Sequence, residues 1–117
     1  MSALARTPEP PYYAVIFTTT STADTDGYEA EAERMVELAH EQPGFLGIDS
    51  ARSDGVGLTV SYWASEESIT RWREHGEHTI ARETGRARWY AGYELRVARV
   101  ERAYDWRRPK GTESIDA

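Results

Sequence analysis

The chain has 117 residues, of which 39% are hydrophobic and 29% are charged, with a formal net charge of −6 and no cysteine. This balance predicts one globular domain. The missing cysteines exclude disulfides, thiolate nucleophiles and iron–sulfur clusters. The acidic charge argues against nucleic acid and anionic membranes as partners, and no stretch reaches the roughly 20 apolar residues of a membrane span.

The two ends of the chain differ in composition from its middle. Residues 1–11 carry three prolines and no periodic pattern, which predicts a flexible N-terminal arm. They also lack the apolar stretch of a secretory signal, so we expect a cytoplasmic protein. Residues 105–117 are charged and interrupted by Pro109 and Gly111, which predicts a C-terminal tail. The domain itself is expected over residues 12–104.

The first regular element is a predicted strand over residues 12–20, YYAVIFTTT, which is rich in β-branched and aromatic residues. Its apolar side chains alternate onto both faces, with Val15 and Phe17 on one and Ala14 and Ile16 on the other. A strand of this kind is covered on both sides.

A helix is predicted next, capped by Asp24, Thr25 or Asp26 and ending at Gln42-Pro43-Gly44. Its apolar positions recur at helical spacing and form one stripe. The members of that stripe are Tyr28, Ala32, Met35, Leu38 and Ala39.

Two strands follow, over residues 45–53 and 57–64, joined by a turn at Asp54-Gly55. Ser65 is the predicted cap of a second helix with Glu66 and Glu67 in its first turn. One face of this helix carries Ile69, Trp72, Gly76 and Ile80. Glu67 and Arg71, four residues apart, are expected to pair. Gly76 is expected to kink or divide the helix, since glycine costs about 1 kcal/mol in a helix interior. A second break is expected at Gly85, before a final strand over residues 89–104.

The element order β-α-β-β-α-β predicts an α+β fold, the ferredoxin-like sandwich, with two helices on one face of an antiparallel sheet. The other sheet face is bare in a single chain. Since the first strand is apolar on both sides, we expect a second copy of the sheet to cover that face in a two-fold homodimer.

Three segments resemble the antibiotic biosynthesis monooxygenase (ABM) superfamily: QPGFLG after the first helix, SYWASEESITRWREHGEH, and the closing YELRVARVERAY. The likeness spans about residues 12–104, and its most specific part is the pattern W-x-S-x-E-x-x-x-x-W from Trp63 to Trp72. Members of this family are dimeric α+β barrels, so the resemblance implies that assembly here. It also implies one of two chemistries.

One branch of the family oxidises aromatic or quinone-like molecules with O₂ and without a cofactor. For that branch the protein must hold a flat aromatic substrate, stabilise a phenolate and exclude water. The resemblance implies His75 or His78 as the base and Arg82, Arg86 or Arg96 as the cation. The implied substrate-binding residues are Trp63, Trp72, Thr59, Phe17, Trp89 and Tyr93, with Tyr90 beside them. Thr59 stands where the polyketide oxidases carry an asparagine, so a single hydroxyl replaces an amide there.

The other branch degrades haem, using a tryptophan on the second helix and an iron-binding histidine ten residues later. Trp72 matches the tryptophan, but Arg82 stands at the ligand position. Haem binding or degradation is therefore the alternative to cofactor-free oxidation, and a non-catalytic dimer that binds a small ligand is a third. We expect no metal site, because His75 and His78, three residues apart, lack an evident third ligand. Their simplest interpretation is a polar helix flank at the rim of a pocket.

Overall fold

The computed structural model describes residues 4–109, and within them the predicted element order is confirmed. The second helix is divided into two, and a short π-helical turn, Gly85–Trp89, precedes the last strand. The elements are β1 (Tyr12–Ser21), α1 (Tyr28–His40), β2 (Phe45–Ser53), β3 (Val56–Trp63), α2 (Glu66–Glu74), α3 (Gly76–Thr84) and β4 (Tyr90–Val100).

The four strands form one antiparallel sheet in the order β2-β3-β1-β4, which is the ferredoxin-like α+β topology. Directly opposed residues share a face of the sheet. Trp63 lies opposite Tyr13 and contacts Trp72 of α2, so the odd-numbered residues of β1 point toward the helices. We call that side the helix-side face and the other side, which carries Ile16 and Leu58, the open face.

Local sequence signals explain where most elements begin and end. Ser65 caps α2 in a reciprocal arrangement with Ser68, as predicted. Asp54 and Gly55 both have positive φ, 50° and 78°, which suits a two-residue hairpin turn. The predicted side-chain cap of α1 is wrong: its N-cap residue is Gly27, which has a φ of 84° and no side chain to accept a capping hydrogen bond.

The predicted break at Gly76 is confirmed, and it lies one residue earlier than the glycine. His75 has an extended backbone, φ −60° and ψ 133°, so it ends α2 and starts α3. The π-helical turn then begins at Gly85, where a side chain would come within 2.5 Å of the Tyr90 ring. Only glycine lets that ring lie against the backbone, and the turn delivers Trp89 to the core.

The open face is covered at one end by residues 4–11. The Ala5 N–H donates to Oδ1 of Asp49 at 2.9 Å, and Thr7 bonds the Tyr12 hydroxyl at 2.8 Å. Tyr12 is buried there, whereas Leu58, farther along the same face, is 44% exposed. Within residues 4–109, no helix is long and apolar enough to cross a membrane.

Candidate functional site at the break between α2 and α3

His75 acts as the cap of α3. Its ring Nδ1 accepts a hydrogen bond from the backbone N–H of Glu77 at 3.2 Å. The backbone N–H of His75 donates to the Trp72 carbonyl at 3.1 Å. In the neutral ring the proton is then on Nε2, because Nδ1 uses its lone pair for the cap. His75 therefore has a structural role that competes with proton transfer at Nδ1.

Trp63, Trp72 and His78 form a stack of rings beside this break. The centroids of the two indoles are 6.1 Å apart with an interplanar angle of 28°, and the His78 ring lies 4.5 Å from Trp72 at 21°. Trp63 is completely buried, and its Nε1 donates to Oγ of Ser61 at 2.9 Å. Of the three indoles predicted to hold substrate, Trp63 and Trp89 are buried, and Trp72 is the one with accessible surface.

The electrostatics of His78 are set mainly by burial. Burial and then the positive charge of Arg82 lower the pKa of His78 to about 4, although the backbone carbonyls of Arg73 and Trp72 oppose this. Its Nδ1 is buried and has no hydrogen-bond partner among residues 4–109. At neutral pH the ring is therefore an uncharged imidazole with a free polar atom.

Arg82 is four residues from His78 and thus on the same side of α3. Its Nη2 donates to the Arg73 carbonyl at 3.4 Å, while its buried Nε has no hydrogen-bond partner in the part of the chain that the structure describes. A permanent cation and a neutral imidazole, each with an unused polar atom, lie at the end of α2. This pairing can stabilise an oxyanion and accept a hydrogen bond from the hydroxyl that produces it.

The remaining predicted aromatic residues form a second cluster. Phe17 contacts Tyr90 and Tyr93, with centroids 5.7 and 5.3 Å away, and Tyr28 meets Trp89 edge to face at 5.5 Å. Trp89 is buried, and its Nε1 donates to the Asp26 carbonyl at 2.9 Å. The structure thus distributes the predicted substrate-binding residues over two clusters.

The sheet register fixes the distance between these clusters. Thr59 lies opposite Phe17 on the helix-side face and belongs with the second cluster. It is four residues from Trp63 along β3, or about 13 Å at the usual strand rise.

Of the predicted cations, Arg86 donates from Nε to the Tyr93 hydroxyl at 2.8 Å. Arg96 is opposite Ile16, on the open face, and so on the other side of the sheet from both aromatic clusters.

The described residues contain no group of three or more His, Asp or Glu side chains arranged to hold a metal ion. At the position where the resemblance implies a haem ligand the chain carries Arg82, whose guanidinium does not ligate iron. A cleft of about 300 Å³ lies on the helix-side face of the sheet. It is lined by Tyr13, Glu66, Val97, Ala98 and Arg99. Tyr13 is directly opposite Trp63, so this cleft borders the ring stack.

The sequence pattern did not single out Thr19, Arg52 or Tyr28 as site residues. Arg52 lies over the Tyr28 ring, 4.5 Å from its centroid, and donates to its hydroxyl at 3.3 Å. The signal that could have found them is Gly57, which lies between Arg52 and Thr19 in the register. A glycine inside a strand often marks the close approach of another group.

Comparison with known proteins gives the family. The model of the family "Antibiotic biosynthesis monooxygenase" matches residues 11–84. The chain belongs to the antibiotic biosynthesis monooxygenase family. The uncharacterized protein YqjZ of Bacillus subtilis is 55% identical over 103 residues, which is 87% of this chain and 90% of YqjZ. The resemblance inferred from the three sequence segments is confirmed.

A second relative is named for its reaction. The jasmonate monooxygenase ABM of Pyricularia oryzae is 31% identical over 109 residues, covering 90% of this chain and 51% of the fungal protein. The chain thus spans about half the length of that relative. Among solved structures, SnoaB of Streptomyces nogalater, described as a cofactor-independent oxygenase, superimposes with a TM-score of 0.65 at 14% identity. The superposition covers 87% of this chain and 99% of SnoaB, which shows the shared fold.

Proposed function

We propose that this ABM-family protein is a cofactor-independent monooxygenase that oxidises a flat aromatic or quinone-like molecule with O₂ at the junction of α2 and α3. The observation that carries the proposal is the stack of Trp72 and His78 beside Arg82. It combines an indole surface, a neutral imidazole and a cation at one place. The names of the fungal relative and of SnoaB motivate the choice of an oxygenase.

The proposed reaction balances without an external reductant. A ring methylene of the substrate becomes a carbonyl, losing four electrons to O₂; one oxygen atom forms the carbonyl and the other leaves as water with the two methylene hydrogens. The substrate is its own source of electrons, so the protein has to bind it, favour its anion and exclude bulk water.

In this scheme Arg82 stabilises the substrate oxyanion and His78 accepts a hydrogen bond from the hydroxyl before ionisation. A pKa of about 4 makes His78 a weak base against a phenol, whose pKa is about 10. The charge of Arg82 therefore has to supply most of the stabilisation of the anion. A negatively charged substrate would in turn raise the pKa of the imidazole and improve it as a proton acceptor.

The substrate has to enter between rings that are now in contact. The His78 and Trp72 centroids are 4.5 Å apart, and a planar molecule between them needs about 7 Å, or two stacking distances. Movement of α3 about His75 provides that space. None of the residues of α3 is fully buried, and its ion pair from Glu77 to Arg34 on α1, at 3.3 Å, is exposed. Such a displacement costs little apolar burial.

The test is O₂ consumption with a model anthrone, which carries the required ring methylene, using protein dialysed against a chelator. We expect turnover that falls at least tenfold in Trp72→Ala, His78→Ala and Arg82→Gln. Matched controls remove an exposed histidine and an exposed arginine, His40→Ala and Arg71→Gln, and should retain activity. Substrate binding without oxygen uptake would favour the non-catalytic ligand-binding alternative and overturn the proposed chemistry.

We also propose that two copies associate through the open face. Ile16, Val60 and Leu58 place apolar side chains there, and Leu58 is 44% exposed. Sedimentation at micromolar concentration should give a dimer, and Leu58→Asp should shift it toward the monomer. The control is Leu95→Asp, which alters a leucine of similar exposure, 46%, on the helix-side face. A wild-type species of 13.3 kDa would contradict the dimer.

A further inference from the structure

A second polar site lies on the helix-side face, at the end of the sheet away from Trp63. One row across the sheet carries Arg52 on β2, Gly57 on β3, Thr19 on β1 and Tyr93 on β4. Along β3, Gly57 is six residues from Trp63, a separation of about 20 Å. This row is therefore distinct from the ring stack at the α2–α3 break.

Thr19 gives the first indication that a ligand binds at this row. Only 3% of its surface is exposed, and among residues 4–109 its Oγ1 finds no hydrogen-bond partner. A buried hydroxyl without a partner costs about 1–3 kcal/mol, so it is rarely left unused. A Cβ built on Gly57 would lie 2.7 Å from this oxygen and would collide with Nη1 of Arg52. Thr19 Oγ1 and the Arg52 guanidinium thus converge over the glycine.

Arg52 is the second sign. Its Nη2 donates to Oγ of Ser21 at 2.8 Å and its Nη1 to the Tyr28 hydroxyl at 3.3 Å. Within residues 4–109 it forms no ion pair with a carboxylate, although acidic residues outnumber basic ones, 20 to 14, in the chain. By contrast, Arg34 and Arg88 are both paired with acidic side chains nearby. Two neutral hydroxyls position the Arg52 guanidinium. Within residues 4–109 no carboxylate compensates its positive charge.

Aromatic rings and a second cation surround this position. Tyr28 contacts Tyr90 at 6.1 Å, and Tyr90 contacts Tyr93 at 5.7 Å. Burial and the adjacent Tyr28 hydroxyl raise the pKa of Tyr90, so its hydroxyl remains a neutral donor at physiological pH. Arg86, which donates to the Tyr93 hydroxyl, adds positive charge on the far side of Thr19 and forms no ion pair within the described chain.

We propose that Arg52, together with Thr19 and Tyr28 above Gly57, binds the carboxylate of a small aromatic acid. The planar guanidinium matches a carboxylate in a two-point contact, which a single hydroxyl or ammonium does not offer. The rings of Tyr28 and Tyr90 suit an unsaturated body attached to that carboxylate. This site is independent of the proposed oxidation, and it gives the protein a second ligand-binding position on the same sheet face.

The experiment uses the full chain with benzoate as the probe, benzamide as its neutral isostere and inorganic phosphate as a second anion. Calorimetry should detect benzoate binding that weakens as salt is added, and at least tenfold weaker binding of benzamide and phosphate. In an amide-resolved NMR titration, benzoate should shift the signals of Thr19, Tyr28 and Gly57. Shifts confined to Trp72 and His78, or no binding at millimolar benzoate, would overturn the proposal.

Two variants test the assigned contacts separately. Arg52→Gln should weaken benzoate at least tenfold, and Thr19→Val, which keeps the side-chain shape, should weaken it severalfold. Arg71→Gln, which removes an exposed arginine from α2, should bind as the wild type does. Thr19→Val also covers the case in which Arg52→Gln does not fold. Equal affinity of wild type, Thr19→Val and any folded Arg52→Gln would overturn the assignment, as would phosphate binding as tightly as benzoate.

Discussion

The low pKa of His78 makes a direct prediction about stability. The pKa is about 4 in the folded chain, and the ordinary value of 6.5 applies when the chain is unfolded. Between these values the unfolded chain binds more protons than the folded one, so the free energy of unfolding rises with pH. Protonation of this histidine in the unfolded chain therefore lowers the free energy of unfolding as the solution is acidified from pH 7 toward pH 4.

The size of the effect follows from the two pKa values. At pH 7.5 the histidine is neutral in both states and contributes less than about 0.1 kcal/mol. At pH 5.0 protonation of the unfolded chain lowers the free energy of unfolding by about 2 kcal/mol, and below pH 4 the loss approaches about 3 kcal/mol. Many carboxylates also titrate below pH 5, so only a comparison with a variant isolates this residue.

The assay is urea denaturation at pH 7.5 and pH 5.0 for wild type, His78→Gln and the control His40→Gln, which removes an exposed imidazole at the end of α1. Wild type and the control should lose about 2 kcal/mol more than His78→Gln on acidification. NMR titration of the His78 ring should give a midpoint near 4. The reasoning fails if the three profiles are parallel or if the midpoint is at or above 6.5.

Three further predictions concern stability and are checked by thermal and urea unfolding. Gly44→Ala combines a φ of 87° with a Cβ that would lie 2.6 Å from Cβ of Ser68, so it should cost at least about 2 kcal/mol. Gly55→Ala is the control: its φ is 78°, no atom is within 4 Å, and strain alone should cost about 1 kcal/mol. Equal losses would refute the Ser68 contact. Ser65→Ala removes the cap of α2 and should cost about 1 kcal/mol, and an unchanged melting temperature would contradict the capping role. Trp63→Ala empties a completely buried position and should cost about 3–5 kcal/mol; a loss below about 1 kcal/mol would refute its place in the core.

The sequence predicts those features that depend on neighbouring residues. The Ser65 cap, the turn at Asp54-Gly55 and the division of the second helix near Gly76 are all local, and the structure has them. The cap of α1 is different because distant residues compete for its candidates. Arg88 pairs with the Asp24 carboxylate, and Trp89 donates to the backbone carbonyl of Asp26, which fixes the chain just ahead of the helix but leaves the Asp26 carboxylate unengaged by that bond. No window around the helix reveals that competition.

The candidate site is predictable only in part for the same physical reason. Trp63 and Trp72 are joined by a short connection from β3 to α2, so their contact follows from local structure. The positions of Phe17 and Trp89 depend on strand register and on the π-helical turn, which bring Phe17 to Tyr90 and Trp89 to Tyr28 instead. Arg52 precedes an ordinary hairpin turn in the sequence. Its importance comes from Thr19, 33 positions earlier, which the β1–β3 and β2–β3 pairings together bring near.

The contact of residues 4–11 with Asp49 and Tyr12 has a practical consequence for purification. An affinity tag attached ahead of this segment would emerge beside the surface through which we propose that two copies meet. The tag could then block or promote association, and that effect could be mistaken for a property of the protein. Hydrodynamic measurements are best made on material from which such a tag has been removed by proteolysis.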